Sequence, residues 1–599
     1  PDIYSTYITF SEGEILTTGK GIVHYAPALH NNPNIAADSI TFAFFSGNYK
    51  GYLEDFHVNG VLKTNMGTIG TDVRMKLPGF SPADATYSGV VTTDQLQLGR
   101  LLRQPVLGNI TANEKVSGTS FDPEVMQLRM DGVLSEFGIN GYNYHNIYTN
   151  GVLARKEFKG KLIVDDPNLA LTFDGGLNYA DKLMKINATA HLLSANFREI
   201  NLTPDNFTAA ADFDLNCTGS TIDDFYGNAK LFNIDLKRNG RKLAVDSLFM
   251  LSSGNERNRH ISLTSDAFTA EINGNYRLSA LPASVQYYLS RYIPNYIKAP
   301  EKYAPDQDIS FRVTTAKVDS IFAITLPILR GFDNSVVSGS LNTNAKKLLL
   351  NANVPYGRIG NVHLRNVSVL GEGDFNILGV NTTVGNIALG DSILHGGLSL
   401  TATVGSDSVL FNLATMSPDR ASSFALNGRI FAHSDTLSLN VFPSQFYLNR
   451  VKWYIAGGSS VVYSDKYLNV SGVNLSSGIQ RVSLSSTPGP GSGLVVNTTN
   501  LDMAQLGDLL GLSSLQADGR INGNVVVANT FTNTEVSTNI RASGVKLGSD
   551  TVGAINVVGR WDVVKKMLYI DPQTGIYRDH ASVSASGQVA LDSAAAEKI

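Results

Sequence analysis

Ten histidines, one cysteine and a few acidic pairs are the residues of this 599-residue chain that chemistry would draw on first. The histidines (His24, His30, His57, His145, His191, His260, His363, His395, His433 and His580) are scattered. They lack the His-x-x-x-His or His-Glu spacing that sets two ligands side by side, so they predict no metal centre. Asp165-Asp166 and Asp223-Asp224 would in principle supply an acid and a base. Neighbours on a strand point to opposite faces, however, and these pairs read as turn residues. Gly371-Glu372-Gly373 lacks the phosphate-loop spacing and a following helix, and Ser492 within Gly489–Gly493 is not flanked as a nucleophile elbow requires. Cys217 continues an apolar stripe and reads as a small buried hydrophobe. This reading assigns no catalytic residue and no cofactor.

Composition excludes further classes. Lys and Arg number 48 against 52 Asp and Glu, a formal charge of −4, so there is no basic excess to neutralise phosphates and no nucleic-acid partner is expected. Charged residues are 17% of the chain, under the roughly 25% usual for soluble domains, and 55 Gly with abundant Asn, Ser and Thr carry the polarity instead. At 43% hydrophobic the chain can bury a core, which excludes global disorder. One Cys excludes a disulfide framework, and suits either the cytosol or an exported protein stabilised by β-structure. No apolar run nears the roughly 18 residues needed to span a bilayer; the densest, Phe322 to Leu329, contains Pro327. The chain opens at Pro1 without a signal segment, which reads as a processed product or an excised piece, with any membrane anchor outside it.

The elements that would position side chains are strands almost throughout. Phe207, Ala209, Ala211, Phe213, Leu215 and Cys217 alternate with Thr208, Ala210, Asp212, Asp214 and Asn216. The same period of two recurs in Phe268, Ala270, Ile272, Tyr276 and Leu278, in Leu398, Leu400, Ala402 and Val404, and in Leu437, Leu439 and Val441. Such alternation predicts a sheet with one apolar and one wet face. Turns are expected at Asn239-Gly240 and Pro488–Gly491, and Asn273-Gly274, inside a stripe, predicts a bulge or a tight turn.

Two short helices are expected. Val285, Tyr288, Leu289, Tyr292 and Ile293 recur at helical spacing in 281–297, and a shorter run covers 503–510; both read as plugs or caps on a sheet. The Tyr-rich first helix suits a membrane interface or the cap of a sheet edge.

The chain also resembles itself. Leu96, Leu98, Leu101 and Leu102 precede Leu107–Thr111, and Leu501, Met503, Leu506, Leu509 and Leu510 precede Leu515 and Gly519–Gly523. Each copy continues into strands with spaced glycines, a repeat architecture. The expected segmentation is an N-terminal β segment (1–80), a β-groove repeat (81–280), a helical segment (281–300), a second repeat (301–495) and a third with the leucine-rich start (496–599).

The leucine-rich turn with its Gly-x-Ile-x-Gly strand (Leu501 to Gly523), and the stretch Leu437–Val441, Pro443-Ser444, Phe446, Leu448, Trp453, Leu468–Val470 and Leu475, resemble the AsmA-like superfamily. The likeness is greatest to its TamB-type translocation and assembly module proteins, as a central fragment. The resemblance is diffuse and covers roughly residues 80 to 599. It implies an all-β, elongated, U-shaped sheet groove (a β-taco) with a few short helices. It implies a non-enzymatic protein of the Gram-negative periplasm, anchored to the inner membrane through segments outside this chain. The partners it implies are phospholipid acyl chains and an outer-membrane β-barrel, and the roles lipid transfer between the membranes, outer-membrane assembly, or both. The stripe residues would then line the groove: Phe207, Ala209, Ala211, Phe213, Leu215, Phe268, Ala270, Ile272, Leu398, Leu400, Ala402, Val404, Leu437, Leu439 and Val441. From the residues themselves, a surface-exposed β-solenoid adhesin with a dry core stays open, as does a polysaccharide-active enzyme on such a solenoid.

Overall fold

The computed structural model describes residues 5–25, 35–122, 124–255, 257–390, 392–416, 423–433, 435–448, 450–465, 467–487, 493–507, 516–531 and 534–590. The expected turn at Pro488–Gly491 and the leucines Leu509, Leu510 and Leu515 lie outside them. The fold is all-β: an open antiparallel sheet with few, short helices, α1 (Gly19–Tyr25), α2 (Leu98–Leu101), α3 (Leu281–Tyr292), α4 (Asp319–Thr325) and α5 (Met503–Gly507). The chain forms two compact units, Pro1–Ser279 with Val313–Arg330, and Ala280–Arg312 with Gly331–Ile599.

In the first unit each strand pairs with the next along the chain. The first eight are β1 (Ile8–Thr17), β2 (Ala43–Tyr52), β3 (Asp55–Thr64), β4 (Gly67–Lys76), β5 (Thr86–Gln97), β6 (Leu107–Thr119), β7 (Gln127–Ile139) and β8 (Tyr142–Ala154). They continue as β9 (Glu157–Asp166), β10 (Leu169–Asn178), β11 (Lys185–Asn196), β12 (Phe207–Thr218), β13 (Tyr226–Arg238), β14 (Arg241–Asn255), β15 (Asn258–Ser265) and β16 (Phe268–Asn275). Hairpins are tight where the sequence supplies residues that accept positive φ: Asn239-Gly240, at φ 50° and 81°, joins β13 to β14 as expected.

This sheet is curled along one edge. The β7–β8 turn and the β11–β12 loop lie four strands apart, about 19 Å on a flat sheet. Yet Asn140 donates to the Asn201 carbonyl at 3.1 Å, and Asn201 donates back to the Asn140 carbonyl at 3.2 Å. Bulges supply the bend, since an extra residue on one strand raises the local twist. The two sequence repeats are two copies of one such device. The register slips between Thr93 and Leu96 and again between Thr498 and Leu501. The last residue of each insertion, Gln95 or Asn500, has positive φ, and its N–H donates to a side chain of the next strand, Thr111 Oγ1 at 3.1 Å or Asn522 Oδ1 at 2.9 Å. Thr93 and Thr498 donate to carbonyls of that same strand, Ile110 and Gly523. Leu96 and Leu501 are then buried opposite Ile110 and Ile521, and α2 and α5 follow. In β1, Glu12 repeats the motif with Asn48 Oδ1 as acceptor.

The second unit is also a meander. Three successive strands are each broken once, at Phe442-Pro443, Ala456–Gly458 and Gly472, and the breaks line up as a crease. Pro443 has no N–H to give the ladder. Gly472 sits at φ 68°, where a Cβ would come 2.9 Å from the Gly458 carbonyl oxygen. Helix α3 runs along a row of turns: its Tyr292 hydroxyl donates to the Asp374 carbonyl, the Asp407 N–H donates to the Tyr292 carbonyl, and Asn295 donates to the Ala432 carbonyl. Tyr288 and Tyr292 are 2% and 1% exposed, so these two rings face protein.

Asn273-Gly274 forms neither a bulge nor a turn. Register is unbroken through β16, and Gly274, at φ 130°, lies directly opposite Arg259. The strand ends at Asn275, so Leu278 leaves the stripe for a turn of 3-10 helix. Arg259 is 2% exposed and donates to the carbonyls of Ile222, Asp223 and Phe225 at 3.1, 2.7 and 2.6 Å, with Tyr226 and Tyr276 against its guanidinium. It pins the β12–β13 loop onto the sheet. Arg259→Ala is therefore expected to cost about 3 kcal/mol, because three carbonyls lose a charged donor, and Arg259→Lys to recover only part of it. Urea unfolding, with limited proteolysis at 219–225, measures this; wild-type stability in the Ala variant would refute the role.

Candidate functional site: a continuous apolar face

Register decides which side chains share a face. Starting from Ala209, Ala211, Phe213 and Leu215 on β12, the partners on β11 are Ala195, Leu192, Ala190 and Ala188, and on β13 Leu236, Leu231 and Ala229. On β14, Leu243, Leu248 and Met250 continue the set; Leu263 follows on β15, then Ala270 and Ile272 on β16. In the other direction one row runs Ala211, Leu192, Leu171, Val164, Ile147, Leu134, Ala112. It ends through Thr93, Ile69, Leu62 and Phe45 at Ile15 of β1. The stripes predicted on β12 and β16 thus lie on one apolar face that spans every strand from β1 to β16; Phe268 joins them by alternation.

The opposite face is polar. Lys115, Asp131, Asn150, Lys161, Asp174, Thr189, Asp214 and Lys230 stand successively opposite one another from β6 to β13. Such an arrangement suits water and sets opposite charges across from each other. The apolar side is largely half-buried: Phe173, Leu171, Phe213, Leu215 and Leu231 all keep contact with solvent, while the small Ala188, Ala190 and Ala211 lie covered.

The second unit has its own apolar face. Leu398 lies opposite Val384 and Thr415, and Leu400 opposite Thr382 and Leu413. Ala402 leads through Phe411 and Gly428 to Val441, and Val404 through Val409 and Ile430 to Leu439. The two predicted stripes therefore share a face three strands apart. Leu437, opposite Ala432 at the end of its strand, is 37% exposed.

Polar groups interrupt the first unit's face at few points. Glu114 stands between Val91 and Gly132, and accepts a hydrogen bond from Thr149 Oγ1 at 2.7 Å across Gly132. A Cβ on Gly132 would meet the Glu114 carboxyl carbon at 2.9 Å, so glycine gives the carboxyl its path. Its Oε2 is buried without a partner. Burial, with Asp131 behind the sheet adding to it, pushes this carboxyl above the usual range. Nearer the edge, Asp166 ends β9 with its side chain fully buried. It accepts from Tyr142 Oη at 2.6 Å, from the His145 and Asn168 N–H groups, and pairs with His145 Nδ1 at 3.0 Å. Burial alone raises its pKa, but these bonds hold it below the ordinary carboxylate range. Asp166 is thus a buried strand residue, not the turn residue expected of it; Asp223 and Asp224 do lie in the β12–β13 loop.

Histidines that are scattered in sequence meet aspartates across strands. His57 lies 2.6 Å from Asp72 and His191 2.8 Å from Asp212, both on the wet side. Each pairing lowers its aspartate, with Asn233 the larger influence on Asp212. Among the described residues no three His, Cys, Asp or Glu cluster as a metal site would need. Cys217 is half-buried in the stripe, and burial raises its thiol. No helix among the described residues is long and apolar enough to cross a membrane. No protein-family model matches the chain, and neither does any curated protein.

Residue pattern could have pointed to Glu114, the odd carboxylate where strand alternation calls for an apolar side chain. Since its folded-state pKa is raised, ionisation opposes folding as pH rises through that value. Glu114→Gln is therefore expected to raise the urea midpoint at pH 7, with the gain vanishing below about pH 4, where the wild-type carboxyl is protonated in both states. A gain that persists at pH 3 would show that ionisation is not its source.

Proposed function

We propose that this chain is a non-enzymatic groove protein of TamB type. It holds phospholipids by their acyl chains on its apolar faces and passes them between the inner and outer membranes of a Gram-negative envelope. The observation that carries the reading is the apolar face that runs from β1 to β16 with few polar interruptions, half-open to solvent, behind which the same strands carry charges. A dry-cored adhesin needs that face covered by protein, and most of its large side chains are only half-buried. Assistance to outer-membrane assembly, with a β-barrel partner, is the second role the resemblance suggests for the same surface.

The physics suits a conduit. Burying a methylene is worth about 0.8 kcal/mol, so a dozen of them hold a chain by roughly 10 kcal/mol, less whatever a half-open face leaves wet. Successive strands offer the same aliphatic surface about 4.8 Å apart, so a chain moving along the sheet exchanges one set of contacts for an equivalent one. Headgroups stay in water. Affinity then retains the lipid while repetition lets it travel.

Organic extracts of the chain, purified without added lipid, are expected to contain several phospholipids per molecule by mass spectrometry. Leu171→Glu and Leu400→Glu, each placing a charge at a half-buried position on an apolar face, are expected to cut that content by about tenfold with unchanged circular dichroism, since an acyl chain laid over either would bury an unpaired carboxylate at a cost of several kcal/mol. An empty extract from folded wild-type protein, or full loading in both variants, would overturn the proposal.

A further inference from the structure

Helix α4 lies on the first unit's apolar face. Its Ile321 and Ile324 pack against Ala211, Ile234, Leu243 and Val245, with Phe213, Leu231, Leu236 and Leu248 around them. The covered patch is the β12–β14 stretch of the face, directly over the Phe207–Cys217 stripe. The helix has no part in any strand ladder. On its N-terminal side the Ala316 and Lys317 N–H groups donate to the Ala267 carbonyl at 2.7 and 3.1 Å. Near its other end Arg241 Nη1 donates to the Ala323 carbonyl at 2.9 Å. Just beyond, Leu326 and Ile328 are 52% and 60% exposed.

We infer that α4 is a displaceable plug that competes with acyl chains for the β12–β14 part of the lipid path. This rests on the lipid-carrying reading above. What α4 presents to the sheet is two branched aliphatic side chains, and the surface beneath offers only aliphatic and aromatic contacts, so nothing there distinguishes an isoleucine from a stretch of hydrocarbon. Seven residues are too few for a helix to persist alone in water, so α4 keeps its form by lying on the face and loses it on leaving. Lifting it breaks no strand pairing, which leaves the sheet intact while the path opens. A lipid passing from β11 to β15 takes the place of Ile321 and Ile324; with α4 seated, lipids stop short of β12.

The test uses the full chain with a photoactivatable benzoylphenylalanine in place of Leu236, beneath α4, or of Leu134, on the same face at β7. In otherwise wild-type protein, position 134 is expected to capture phospholipid and position 236 to capture much less. In the I321D/I324D variant, capture at 236 is expected to rise roughly threefold or more, as removing an internal competitor shifts occupancy toward lipid. Equal capture at both positions in wild type, or no rise at 236 in the variant while 134 captures normally, overturns the plug and leaves the lipid path standing. No capture at either position in any form overturns both. Should I321D/I324D lose its circular-dichroism signature, Arg241→Ala, which removes only the tie to Ala323, is read in its place, with a smaller rise expected and the same refuting outcomes.

Discussion

A strand can satisfy its backbone only through its neighbours, and everything else in this protein follows from having chosen that solution for nearly the whole chain. Once β1 to β16 pair in sequence, period-two alternation leaves no freedom: each apolar residue must stand with those of the strands on either side. A slip of one residue anywhere would turn an entire stripe toward the charges of Lys115, Asp131 and Lys161. Register is thus held by the contrast between the faces as much as by hydrogen bonds.

Curvature is the second constraint, and it is built locally. A long flat sheet would present both faces equally to solvent, whereas the bulges at Gln95 and Asn500 bend it by inserting residues on one strand. Each bulge exposes an N–H that the ladder cannot use, and Thr111 or Asn522 on the next strand accepts it. The abundance of Asn and Thr, a puzzle as composition, has part of its explanation there. At the edge of the first unit, the slips between Ala170 and Leu171 and between Leu192 and Ala195 fall within the span that the Asn140–Asn201 contact closes.

Polar groups on the apolar face are handled in three ways. Arg259 spends its guanidinium on loop carbonyls, and Asp166 is surrounded by donors. Glu114 keeps one carboxylate oxygen without a partner. The first two close the margins of the face, where loops and turns supply the groups they need. The third stands in its middle, where strands offer only side chains, and Thr149 is the one it reaches.

Much of this was legible from residues alone because the signals are local. Alternation located the stripes on β12 and β16 and in the second unit, Asn239-Gly240 marked a hairpin, and the leucine-rich repeats marked two copies of a bulge and helix. Period two is a property of single strands, so it needs no knowledge of partners. What the chain by itself could not decide is which stripes adjoin, because that depends on pairing. Nor could it show that Gly274 stands opposite Arg259, that His57 and His191 find aspartates across strands, or that the apolar run around Phe322 folds back as α4 onto Ala211 and Val245. Each of these joins residues distant in sequence, and only the summed geometry of many strands sets the distance between them.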